Sequence, residues 1–273
     1  MFFSVRCLTR TLLVSLIFSP ATLADTPAQN TMSWLSGQDA HYKLTLVTST
    51  GHSTRSASGT MHYELKETPA NWLTHQRIDV ERTSATGKTE HLVSDYTATE
   101  SKDGHSFIFQ TRQQADNAII RTISGKATRT GTDGYIEYAQ PLKKTLPLSA
   151  DVLFPVHHTA AILSAASDGK NSLALRLFDG TDEDGSLYTF ATLTGWQKPA
   201  AAPAFPALTN LPETRVTLAY FAHDTTEMMP DYTLEQSYFK NGVSDTITLD
   251  FGVFSMTGTL QSLSLPVIKD QKL

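Results

Sequence analysis

Cysteine is almost missing from this 273-residue chain; the only one is Cys7. It precedes an apolar run, Leu12-Leu13-Val14-Ser15-Leu16-Ile17-Phe18, which follows a short basic start with Arg6 and Arg10 and closes with Ser19-Pro20-Ala21-Thr22-Leu23-Ala24. Small residues at Thr22 and Ala24 occupy the positions a signal peptidase reads, so the sequence predicts a signal peptide over 1–24, cleaved after Ala24. A membrane anchor needs about 20 consecutive apolar residues, and this run is far shorter. A lipid anchor needs a cysteine at the cleavage point, where there is none. The expected mature chain of 249 residues, starting at Asp25, therefore has no cysteine. Disulfides, thiolate metal sites and cysteine nucleophiles are excluded from it. Its fold must rest on packing, which is feasible because a chain of this size buries about three quarters of its unfolded surface.

Positive charge is also scarce. Losing Arg6 and Arg10 takes the formal charge from -5 to -7, with 20 basic side chains against 27 acidic ones. No basic stripe is visible, so a nucleic-acid partner is disfavoured. Helical periodicity is confined to one segment, Asp151 to Asp168, where Pro155 stands early and Val156, Thr159, Ile162, Leu163 and Ala166 recur at helical spacing before Asp168-Gly169. Catalytic signatures are missing as well: there is no G-x-S-x-G and no H-E-x-x-H.

What is present is alternation with a period of two. Tyr42, Leu44 and Leu46 alternate with polar neighbours, as do Ala57, Gly59, Met61, Tyr63 and Leu65, and then Trp72, Thr74, Gln76, Ile78 and Val80. Further strands are expected over 89–100, 105–111, 118–128, 135–139, 172–178, 187–194, 215–221, 232–239, 243–251 and 253–265, separated by turns such as Asp103-Gly104 and Asn241-Gly242. Pro141 and Pro147 mark the end of the first half. Residues 198–212, with four prolines, read as a surface excursion. More than about 10 antiparallel strands do not stay in a flat open sheet. The predicted fold is therefore all-β and mainly antiparallel: a many-stranded spiral or open barrel with one short helix as plug. The inward faces nominate Leu44, Leu46, Met61, Tyr63, Phe107 and Phe109 as lining of an interior cavity.

Candidate chemistry is thin. His157-His158 are adjacent in the helix, so their rings diverge by about 100° and cannot share one metal unaided. The turn 179–185 matches half of a calcium loop at Asp182, Asp184 and Gly185, but Gly180 and Ala191 stand where ligands belong; a solvated hairpin turn is expected instead. Glu100 and Asp103 could be drawn as a carboxylate pair for glycoside hydrolysis, and otherwise read as a strand end and a turn residue. Trp34, Trp72 and Trp196 read as core. No catalytic, cofactor or metal residues are assigned.

Taken together, Ala40-His41-Tyr42, Ser58-Gly59-Thr60-Met61, Glu100-Ser101-Lys102-Asp103-Gly104, Leu153-Phe154-Pro155-Val156-His157-His158-Thr159, Phe178-Asp179-Gly180-Thr181-Asp182, Pro230-Asp231-Tyr232 and Asn241-Gly242-Val243 resemble the EipB-like family, also catalogued as the domain of unknown function DUF1849. The resemblance covers about 38–265. It implies a periplasmic protein of Gram-negative bacteria with a β-spiral similar in outline to the lipoprotein carriers LolA and LolB, needed for envelope integrity and not known as an enzyme. Members typically place a cysteine just before the tryptophan matching Trp72 and a second near the C-terminus, forming a disulfide. Here Pro69-Ala70-Asn71 precedes Trp72 and the tail has no cysteine, so a looser C-terminal strand or compensating packing is expected.

The expected organisation is a signal peptide (1–24), an N-terminal extension (25–37), the spiral domain (38–265) and a tail (266–273). The expected function is non-enzymatic support of the cell envelope by binding or scaffolding its components. The alternative is a LolA/LolB-like carrier that shelters a lipid or lipoprotein acyl chain. An enzyme acting on envelope polymers through His157, His158 or the acidic turn is a weaker third. An envelope protein, lipid or lipoprotein is the expected partner, with no cofactor and no transmembrane anchor.

Overall fold

A computed structural model describes residues 31–49, 54–131, 133–222, 229–250 and 254–266. The expected signal peptide, residues 25–30 of the expected N-terminal extension and the tail beyond 266 lie outside the described residues. Among the described residues, no helix is long and apolar enough to cross a membrane.

Alternating sequence becomes strand throughout: β1 (Gln38–Ser49), β2 (Thr54–Glu67), β3 (Asn71–Ser84), β4 (Thr89–Ser101), β5 (Ser106–Ala115), β6 (Ala118–Thr130), β7 (Asp133–Gln140), β8 (Lys144–Pro147), β9 (Val152–Leu153), β10 (Ser172–Leu177), β11 (Leu187–Leu193), β12 (Glu213–Phe221), β13 (Tyr232–Phe239), β14 (Ser244–Asp250) and β15 (Phe254–Ser264). Among the described residues, helix α1 (Pro155–Ser167) interrupts the strands, and a 3-10 turn spans Pro206–Leu208. All fifteen strands form one sheet in the order β8-β7-β6-β5-β4-β3-β2-β1-β15-β14-β13-β12-β11-β10-β9. Neighbours are antiparallel except β9 and β10. The sheet is rolled but not closed, because β8 and β9 do not pair. Both edge strands are very short, which limits the unpaired backbone they present. That brevity also hid them: two to four residues are too few for a periodic signal.

The inward side chains pack in four zones, two of them on the faces of α1. Tyr42, Leu44, Met61, Phe239, Val243, Met256 and Leu260 join β1 and β2 to β13, β14 and β15. Phe107, Phe109, Ile123, Ile136 and Phe178 fill the space over β5, β6 and β7. Helix α1 lies between these zones with two buried faces. Ile162 and Ala165 meet Leu177, Ala191, Val216 and Leu218, while Val156, Ala160 and Leu163 meet Leu35, Leu65 and Trp72. Its alanines leave room for the sheet on both sides. The helix ends at Asp168, where Gly169 takes φ +69°, a left-handed stop that glycine supplies without strain.

The proline-rich stretch 198–212 is a mostly exposed excursion, as expected, and is anchored by Leu208, which is fully buried with Phe205 and Leu211 packed beside it against the first zone. Of the two outcomes expected for a C-terminal strand without a disulfide, β15 shows compensating packing. It pairs with β1 on one side and β14 on the other as far as Ser264 and Thr259 respectively. Beyond it, Leu265 packs on the first zone and the Pro266 ring lies beside Gly37.

Candidate functional site

The site is built around the start of α1. Phe154 precedes the helix and offers no side-chain cap, so the first amides need a partner from elsewhere. Glu100, at the end of β4 and fully buried, supplies it. Its carboxylate accepts the Val156 amide at 2.7 Å, the His157 amide at 3.0 Å and His157 Nδ1 at 2.5 Å. A negative charge at a helix N-terminus is favoured by the helix dipole. The His157 ring rests over Gly104, which at φ +70° has no side chain to block it. The Arg129 guanidinium covers the Phe154 ring at 4.8 Å. Two sequence blocks, 56 residues apart at Glu100 and Val156, thus become one contact. Asp103, by contrast, is an exposed turn residue bonded to Ser101 Oγ and the His105 amide, so the glycosidase-like pair is not assembled.

The two adjacent histidines diverge as their helical spacing requires. His158 points inward and shares a 2.8 Å hydrogen bond with Thr189 Oγ1. Burial pushes its pKa down to about 4, so it is neutral under ordinary conditions.

The acidic turn is docked, not solvated. Gly180 (φ +72°) sits where any Cβ would fall 2.4 Å from the Phe109 ring, and its carbonyl accepts Thr111 Oγ1 at 3.2 Å. Tyr138 Oη donates to the Asp182 carbonyl and accepts the Gly185 amide. Arg121 pairs with Asp182 at 3.1 Å. The turn between β10 and β11 therefore clasps β5, β6 and β7, joining by side chains two parts of the sheet that backbone pairing leaves separate. Asp179 turns towards the interior, accepts the Thr181 amide and hydroxyl, and has its pKa raised by burial.

Between the clasp, α1 and the first packing zone lies a cavity of about 310 Å³. One wall, from β12, β13 and β14 with the end of β10, is the more apolar: Leu177, Leu218, Leu234, Ile247 and Leu249, with Tyr220, Gln236, Tyr238 and Ser244 among them. The facing wall, from β3, β4 and β5, is polar: Thr74, Gln76, Ser94, Tyr96, Thr111 and Gln113. Pro155, Val156, His158 and Thr159 of α1 make a third side. Several polar groups on this surface are poorly served by the protein. Tyr96 Oη is buried with no protein partner, and Gln76 Nε2 reaches only the thioether of Met61 at 3.4 Å. Burial raises the pKa of the lining tyrosines, that of Tyr238 to about 12, so they remain neutral donors.

Of the six residues nominated from sequence, Met61 and Tyr63 line this cavity. Leu44 and Leu46 belong to the first packing zone, and Phe107 and Phe109 lie in the aromatic zone, which their rings fill. The reason is coiling. Inward positions along one long strand face different levels of the interior; at Gly125 the chain approaches so closely that an added Cβ would lie 2.8 Å from Phe109 and 2.3 Å from the Glu137 carbonyl. The polar wall was missed, although its signal was available. Thr74 and Gln76 occupy the same strand parity as Trp72, Ile78 and Val80, where a filled core would carry apolar side chains.

Residues 29–266 match the model of the EipB-like family. A curated relative, the cell envelope integrity protein EipB of Brucella abortus (strain 2308), is 25% identical over 213 residues, covering 76% of this chain and 76% of its own length. Among solved structures, the crystal structure of a beta-barrel-like protein of domain of unknown function DUF1849 from Brucella abortus matches with a TM-score of 0.79 at 23% identity. That match covers 85% of this chain and 98% of the other, and it carries the likeness of fold.

Proposed function

The chain belongs to the EipB-like family, and from that membership we propose that it supports cell-envelope integrity in the periplasm by binding an amphipathic envelope component in the cavity beside α1. The two-walled lining carries the reading. Leucine surface lining a cavity gains about 25 cal/mol per Å² when hydrocarbon replaces water over it. Buried hydroxyl and amide groups without good partners gain when a ligand supplies them. One molecule with hydrocarbon on one flank and hydrogen-bonding groups on the other serves both walls. At about 310 Å³ the space is at the small end of ligand sites, about 300–1,000 Å³. It suits one hydrocarbon segment with its polar group and is too small for a bundle of acyl chains. The role is then closer to a single-ligand binder than to a lipoprotein carrier.

The test is to fill the cavity. The full chain, exported with its own leader and purified from the periplasm, is examined by native mass spectrometry beside Leu234→Trp. The expected result is a small amphipathic molecule retained by the parent and lost by the variant, with the variant also failing to restore detergent resistance to cells lacking the gene. Full restoration by a folded Leu234→Trp protein would overturn the reading.

A further inference from the structure

On the outer face of the sheet, away from the cavity, β1 and β2 bring three metal-ligating side chains together. His41 and His62 are direct cross-strand partners, and their rings lie parallel within 1° at a centroid separation of 4.2 Å. Asp39, two residues before His41 on the same face, places one oxygen, Oδ1, 3.2 Å from His41 Nε2 and 2.9 Å from His62 Nε2. All three ligand atoms lie within 4.8 Å of one another.

We propose that Asp39, His41 and His62 form a surface site for a divalent transition-metal cation of the zinc or copper class. Both Nε2 atoms lie within reach of the same carboxylate oxygen, and because the lone pairs of stacked rings lie in parallel planes, the two rings tilt towards each other to share one ion. A tetrahedral zinc ion with bonds of about 2.0–2.1 Å separates its ligand atoms by about 3.3 Å, close to both nitrogen–oxygen distances found here. Imidazole nitrogen with carboxylate oxygen suits zinc, copper and nickel and disfavours calcium and magnesium. Strand register fixes the backbone positions of the three residues, so the adjustment on binding is confined to side-chain torsions. His75 bounds the site, its ring edge-on to His62 at 5.8 Å and its Nε2 3.9 Å from Asp95. Glu64, opposite Asp39 in the ladder, is held by Lys66 at 2.6 Å. The remaining coordination positions face solvent, so water or a group on another molecule completes the shell. The sequence gives no hint of this: Asp-x-His at 39–41 is two ligands, and the third comes 21 residues later through strand pairing alone.

The test uses the full exported chain, without a polyhistidine tag, titrated with zinc chloride alone by calorimetry. One zinc ion per chain is expected, with calcium giving no heat. His41→Ala and His62→Ala should each weaken binding about tenfold or more, and Asp39→Asn should weaken it as well, while His75→Ala and His105→Ala leave it largely unchanged. Copper loaded in place of zinc should show nitrogen hyperfine structure from two imidazoles, reduced to one in either histidine variant. Circular dichroism checks that the variants fold, as expected for changes on an outer face. Absence of zinc binding, or binding unaltered in both His41→Ala and His62→Ala, overturns the proposal.

Discussion

The interior of this spiral is divided into a part that side chains fill and a part they leave open, and the same strands serve both. Over β5, β6 and β7 the inward positions carry Phe107, Phe109, Ile123 and Ile136, with Phe154 and Phe178 brought in from the flanks of α1 and β10. The Phe107 and Phe154 rings stack at 4.9 Å, and Phe109 meets Phe178 edge-on at 5.2 Å. One layer along, the inward positions of β3, β4 and β5 carry Thr, Gln and Ser, and a cavity opens. Identical backbone architecture thus gives a rigid anchor or a binding space according to side-chain volume and polarity. The anchor holds α1 and the acidic clasp; the cavity borrows that rigidity.

The sharpest test of this contrast truncates the anchor. Phe154→Ala should cost about 3–5 kcal/mol, the usual range for a buried aromatic ring, read from the urea midpoint with unchanged slope. A loss below about 1 kcal/mol would mean that the aromatic zone is no better packed than the cavity.

His158 stands on the border, with its ring in the cavity wall and its backbone in α1. Its folded pKa of about 4 lies below the ordinary histidine value of about 6.5. The unfolded chain therefore takes up the proton first as pH falls. The stability from keeping the ring neutral is complete above about pH 6.5 and is lost on the way down to about pH 4, amounting to about 3 kcal/mol. His158→Gln, which keeps a hydrogen-bonding group towards Thr189 but does not titrate, should flatten that part of the stability profile. An unchanged acid limb would show that the border is wetter than the packing indicates.

Truncation on the open side should be milder. Leu234→Ala enlarges a space that already exists, so its cost should be about 1–2 kcal/mol, at or below the bottom of the range for a close-packed leucine. A larger loss would move β13 to the anchor side of the division.

The smallest effect is expected at Asp179. Burial raises its carboxyl pKa in the folded state, so ionisation at neutral pH opposes folding. Asp179→Asn retains an oxygen for the Thr181 amide and hydroxyl and should raise the melting temperature at pH 7. The gain should vanish as pH falls below the ordinary aspartate value of about 3.8. No gain at pH 7 would place the carboxylate in water.

The strands of the spiral were legible because period-two alternation is local, and the helix because Pro155 and Gly169 bracket a single run at helical spacing. The volume of the interior was not legible. Phe109 and Met61 obey the same alternation, yet one closes against Gly125 and Gly180 and the other faces open space, a distinction set by how the sheet coils. Glu100 read as a strand end because its partners, the amides of Val156 and His157, lie in another element. The turn 179–185 read as solvated because nothing in its own residues reveals Phe109, Tyr138 and Arg121 beneath it.

The pairing of β1 with β15 has a further consequence, for how the chain folds. Every other adjacent antiparallel pair in the sheet joins strands consecutive in sequence, but Tyr42 must find Leu260 across almost the whole domain. Closing so long a loop costs entropy before any contact repays it. The strand order is also a cyclic rearrangement of a simple meander whose two ends meet at Asp39 and Ser264. Joining those ends and opening the chain between β8 and β9 would make every antiparallel pair local. Such a circular permutant would keep the same walls and anchor and assemble them faster, with its new termini at the seam where the sheet is already unpaired.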